Sequence, residues 1–70
     1  MSIKHYAHLH ALIGKRVQLR YTNDPYTELR QGDEGVVSFV DDTGTVSVKW
    51  DSGSLLGLNA EFGDRWEVIS

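Results

Sequence analysis

The stretch Gly32–Gly53, GDEGVVSFVDDTGTVSVKWDSG, decides the fold. Two runs of alternating apolar residues flank a turn signal at Asp42-Thr43-Gly44, and each run is bracketed by Gly-Asp or Asp-Ser-Gly punctuation. That pattern predicts a β-hairpin with a turn before and after it. Alternation points Val37 and Phe39 inward from the first strand of the pair, and Val46, Val48 and Trp50 inward from the second. Ser38, Ser47 and Lys49 then face water.

Upstream, residues 15–21 also alternate. Val17, Leu19 and Tyr21 fall on one face and Arg16, Gln18 and Arg20 on the other, which predicts an earlier strand. Between it and the hairpin lies TNDPYTELRQG, with the only proline, Pro25, and no sustained period. It reads as a long loop, and loops of this size in small domains either pack on themselves or carry function. Downstream of the hairpin, residues 54–58 predict a short fourth strand with Leu56 and Leu58 inward. Gly57 between them marks a bulge or a close backbone approach. Residues 59–64 suggest a single helical turn, and residues 66–69 a closing strand with Trp66 and Val68 on one face.

The first 14 residues have a different period. Ile3, Tyr6, Ala7, Leu9, His10 and Ile13 fall on one arc at about 100° per residue, with Ser2 as N-cap and Gly14 just past the end. A short amphipathic helix over residues 2–13 is therefore expected, with its apolar face and the His10 ring packed on the body. The domain plan is a helical segment, 1–14, joined to a β domain, 15–70. Five short strands in about 55 residues, joined mostly by tight turns, form the pattern of a small, bent, partly open barrel. Its expected core is Val17, Leu19, Val37, Phe39, Val46, Val48, Trp50, Leu56, Leu58 and Val68.

Composition narrows the class further. At 70 residues this is one domain with an economical core, and without cysteine it cannot use disulfides, which suits a reducing cytoplasm. No apolar run approaches the roughly 20 residues of a spanning helix, and the N-terminus does not read as a secretory signal. The net charge of −3 is uneven: residues 1–20 carry Lys4, Lys15, Arg16 and Arg20 with no acid, while residues 21–70 carry three cations against all ten carboxylates. A basic end favours nucleic acid or an acidic partner, and the acidic remainder repels a phosphate backbone.

Chemical motifs are sparse. Gly32-Asp33-Glu34-Gly35 has two carboxylates and no lysine, so it is a turn rather than a phosphate cradle. Asp41-Asp42 with Asp51 lacks the spacing and closing glutamate of a calcium loop. His5 and His8 share a helix face at i, i+3, but His10 falls on the apolar arc and nothing completes a metal site. No nucleophile–base order can be assembled, so neither enzymatic activity nor a cofactor is expected. Among the aromatic residues, Trp50 and Trp66 are core by alternation. Tyr26, following Pro25 in a loop, is the best exposed candidate.

The motifs IGKRVQL, GDEGVV, TVSVKWDSG and DRWEVI together resemble the SH3-like barrels of the KOW and Tudor groups, with Gly32, Gly35 and Val37 matching the Gly-x-x-Gly-x-Val pattern. More narrowly, Asp24-Pro25-Tyr26, Gly32-Asp33-Glu34-Gly35, Lys49-Trp50-Asp51 with Gly53, and Leu56-Gly57-Leu58 resemble a small family of domains of unknown function found in bacteria, their phages and mobile elements. The resemblance covers residues 13–69. It implies a mainly β, five-stranded SH3-like barrel with a habit of binding protein or nucleic acid, and the short helix read from periodicity precedes it, outside the resemblance.

The expectation is a non-enzymatic module that binds another protein through Asp24, Pro25, Tyr26 and Glu28, with the helix as a second surface. The resemblance adds a phage or mobile-element accessory role acting on a host factor. The alternative is nucleic-acid binding through Lys15, Arg16, Arg20, Arg30 and Lys49, with Tyr26 stacking on a base. An open barrel also leaves edge strands and a helix face for self-association.

Overall fold

The computed structural model describes residues 7–24 and 26–70. Its core element is one antiparallel sheet of five strands: β1 Arg16–Tyr21, β2 Glu34–Val40, β3 Val46–Trp50, β4 Gly57–Leu58 and β5 Arg65–Val68. The strand order is β4-β3-β2-β1-β5, so β1 receives both its sequence neighbour and the last strand. β4 and β5 end the sheet and do not pair with each other. Among the described residues no helix is long and apolar enough to cross a membrane.

The hairpin forms where its sequence predicts. Asp41 organises the turn between β2 and β3: its Oδ1 accepts the Thr43 hydroxyl at 2.7 Å and the amides of Thr43 and Thr45 at 2.9 and 3.0 Å. Gly44 takes the positive φ of 86° that the turn requires. At the other end, Gly35 lies so close to β3 that a Cβ would come within 2.6 Å of the Lys49 carbonyl oxygen. This approach lets Trp50 pair with Gly35 and lie buried over the sheet.

Two register shifts reassign faces that strict alternation misplaces. The shift between Val37 and Phe39 inserts one extra residue in β2. It turns Phe39, expected in the core, outward to 57% exposure and brings Val40 inward instead. A second shift between Leu19 and Tyr21 does the same to β1, so Tyr21 is exposed while Val17 and Leu19 are buried. Val68, also expected inside, lies opposite Val17 but is exposed, because β5 is an end strand with no neighbour beyond it. Leu56 is half-buried, and the fourth strand shortens to Gly57–Leu58. The core gains Leu29, contributed by the long loop.

The expected N-terminal helix is a 3-10 helix over Ala7–Leu12, and Ser2, Ile3, Lys4, His5 and Tyr6 lie outside the described residues. Bonds from Ile13 N–H to the His10 carbonyl and from Lys15 N–H to the Leu12 carbonyl close it with three-residue spacing. At three residues per turn, Leu9 and Leu12 stack on one row and pack against the core. His10 and Ile13 fall off that row and are exposed, contrary to the 3.6-residue reading.

The two ends of the sheet meet at Asp64, which is buried at 7% exposure. Its Oδ1 accepts the Thr22 hydroxyl and the Asn23 amide, both at 3.0 Å, and its Oδ2 accepts the Asn59 amide at 2.9 Å. These bonds join the end of β1, the end of β4 and the start of β5. Asn59 also caps the expected turn, a 3-10 helix over Ala60–Phe62, by accepting the Glu61 amide. Its side-chain amide reaches the Thr43 carbonyl and the Thr45 hydroxyl.

Asp64→Ala strands two backbone donors and should cost about 2–4 kcal/mol, a large share of the roughly 5 kcal/mol expected for so small a domain. Urea unfolding checks this, and a loss below about 0.5 kcal/mol would contradict the assigned role. The Asp41 carboxyl is held below its ordinary value of 3.8, first by the Thr43 hydroxyl and then by the Thr45, Thr43 and Gly44 amides. A carboxylate with a lowered folded pKa stabilises fully above its unfolded value, and that contribution fades as pH falls through the folded one. The thermal advantage of the wild type over Asp41→Asn should therefore be constant near neutral pH and shrink below 3.8. A pH series of melting curves measures it.

Candidate partner-binding groove

The loop between β1 and β2 is ordered by its own polar residues. Asp24 Oδ1 accepts the Tyr26 amide at 2.9 Å, the Thr27 hydroxyl accepts the Leu29 amide at 3.1 Å, and Asp33 Oδ2 accepts the Arg30 amide at 3.0 Å. Leu29 is the apolar anchor, buried in the core, and Gly32 N–H donates to the Leu19 carbonyl to return the chain to the sheet. These bonds leave Tyr26 projecting from the loop at 92% exposure.

The facing wall is the connection from β3 to β4. Gly53, at φ 93°, closes a turn by donating to the Trp50 carbonyl, and the buried Trp50 indole N–H donates to the Leu56 carbonyl at 2.8 Å. The fourth strand begins at the next residue, Gly57. Leu55 is left pointing outward at 85% exposure.

Between the walls lies an open hollow of about 550 Å³, bounded by Asp24, Tyr26, Thr27 and Glu28 on one side and by Ser52, Gly53, Ser54 and Leu56 on the other. A second hollow of about 250 Å³ adjoins it, sharing Asp24 and Leu56 and reaching Asn23, Gly57, Phe62 and Asp64. Phe62 stands at its far end, 71% exposed, and its carbonyl accepts the Asn23 side-chain amide at 3.2 Å. Asp24, Tyr26 and Glu28 thus share one groove. Pro25 lies outside the described residues. Leu56 and Phe62 are additions that the loop sequence alone did not indicate.

The five cations of the nucleic-acid alternative lie on and just before β1, on β3 and on the β1–β2 loop. Arg16 pairs with Asp51 at 2.8 Å and Glu34 at 3.5 Å, and the Asp51 contact raises its pKa above the ordinary value. Arg20 bonds Gln18 at 3.0 Å and approaches Glu67 at 4.0 Å. Lys49 shares a cross-strand row with Val36 and Arg16, Lys15 precedes β1, and Arg30 sits on the loop beyond Glu28. His8 and His10 are exposed, and among the described residues no three His, Asp or Glu side chains gather as a metal site.

No curated protein and no solved structure matches this chain. A family described as a domain of unknown function, DUF4314, matches residues 6–65. That match begins before residue 13 and so takes in the first 3-10 helix, which the resemblance read from the motifs had left outside. The chain belongs to the DUF4314 family of domains of unknown function.

Proposed function

We propose that this chain is a small, non-enzymatic, SH3-like module that binds another protein through the groove between the β1–β2 loop and the β3–β4 connection. The observation that carries the reading is Tyr26, an aromatic residue almost fully exposed at the lip of a hollow whose walls are both held by hydrogen bonds. Such a residue contributes little to folding, while preordered walls lower the entropic cost of seating a partner. The SH3-like assignment is supported by the strand order, in which β1 sits between β2 and β5, and by the 3-10 helix between β4 and β5. A phage or mobile-element accessory role on a host factor, in the cytoplasm, follows from the sequence resemblance and the cysteine-free composition.

Nucleic-acid binding of the KOW or Tudor kind is the second reading, and exposed Lys15, Arg30 and Lys49 favour it. Its weakness is that Arg16 and Arg20 already face carboxylates, so each phosphate contact would compete with an internal partner.

Tyr26→Ala should leave the thermal midpoint nearly unchanged and abolish recovery of the partner in a nuclease-treated pull-down from host lysate. Retention of the partner by the variant would place binding elsewhere. In parallel, absence of binding to single- or double-stranded DNA or RNA at low salt would remove the second reading. Binding that weakens steeply with salt, with a slope flattened by Arg16→Ala and Arg20→Ala together, would favour it.

A further inference from the structure

Resting on the groove reading, we infer that its occupant is an extended, positively charged segment of another protein, carrying cations beside an apolar anchor. The first observation is electrostatic. Glu34, Asp51 and Glu67 each lie within 4.0 Å of an arginine, whereas among the described residues Asp24 and Glu28 make no ion pair. No lysine or arginine lines either hollow; Arg30 shares a neighbouring hollow with Glu28 but makes no ion pair to it. The nearest cation beyond Phe62, Arg65, turns its guanidinium onto the Ala60 and Asp64 carbonyls at 3.1 and 2.8 Å. Two uncompensated carboxylates along a recess attract a cationic chain and disfavour a phosphate backbone. Arginine suits them better than lysine because its planar fork can engage both oxygens of one carboxylate.

The second observation is shape. The two hollows run into each other through Asp24 and Leu56, making a channel rather than a pit. An extended backbone fits such a channel better than a compact ligand does. The third is the apolar surface spaced along it: Tyr26 in the larger hollow, Leu56 shared between the two, and Phe62 in the smaller. These side chains offer anchors for alternate residues of a strand-like segment, while the carboxylates select its charge.

The test is selection of random peptides of about 12 residues, about 40 Å when extended, enough to span the domain's longest extent of 34 Å. Peptides enriched on the wild type should carry net positive charge with at least one aromatic or large aliphatic residue, and should fail to bind Tyr26→Ala. Asp24→Asn with Glu28→Gln keeps the Oδ1 acceptor for the Tyr26 amide. This pair of changes should weaken the selected peptides about five- to tenfold, as should raising salt from about 0.05 to about 0.3 M. Enrichment of neutral or acidic peptides, or no enrichment, overturns the inference. If the captured partner is lost with Tyr26→Ala but indifferent to salt and to the carboxylate changes, the groove reading stands and the charge inference falls. A partner retained by Tyr26→Ala sinks the groove reading itself. Sedimentation showing a wild-type dimer that Tyr26→Ala dissociates would make the occupant a second copy and overturn the inference.

Discussion

A single buried carboxylate ties the two ends of the open sheet together. β4 and β5 share no ladder bonds, so the sheet ends in two unpaired edges. Asp64 takes the place of that ladder by accepting from Thr22, Asn23 and Asn59, three residues from the ends of two different strands. A buried carboxylate is tolerable only when its oxygens are bonded, and backbone amides near strand ends are tolerable only when accepted. Each side of the arrangement satisfies the other. Among the described residues no buried side-chain nitrogen or oxygen lacks a partner.

The same bonds set the groove. Thr22 and Asn23 open the β1–β2 loop, so fixing them to Asp64 fixes where Asp24 and Tyr26 emerge. Asn59 follows β4, so its bond to Asp64 fixes the end of the strand that carries buried Leu58, next to Leu56 on the groove wall. Trp50 completes the second wall from below by holding the Leu56 carbonyl. A domain of 70 residues has little interior for positioning a surface, and here the loops are positioned by side chains that also complete the fold.

Charge is distributed by the same folding. The basic N-terminal third and the acidic remainder are separate along the chain, but β1 lies between β2 and β5, which places Arg16 beside Glu34 and Arg20 near Glu67. The asymmetry of the sequence is largely cancelled on the sheet. It survives in the groove, whose lining comes entirely from the acidic part of the chain.

The hairpin, the five strands and the turns at Gly44 and Gly53 were legible in the residues themselves, because alternation and turn glycines are local signals. The loop bearing Asp24, Tyr26 and Glu28 was legible as a candidate site because it lacked a period and held an unburied tyrosine. Other features depended on which strands became neighbours. The bulges that turned Phe39 and Tyr21 outward arise from pairing with β3 and β5, and the 3-10 spacing that exposed His10 and Ile13 follows from packing Leu9 and Leu12 on the core. Leu29 lies in the stretch read as a loop, and Asp64 was read only as part of the 59–64 connection and the DRWEVI motif. Sequence by itself determined a five-stranded β domain and its most exposed loop. Tertiary structure decided which faces are core, which cations are neutralised and which wall faces Tyr26, because these depend on contacts between residues some 20 to 40 positions apart, such as Asn23 with Asp64 and Arg16 with Asp51.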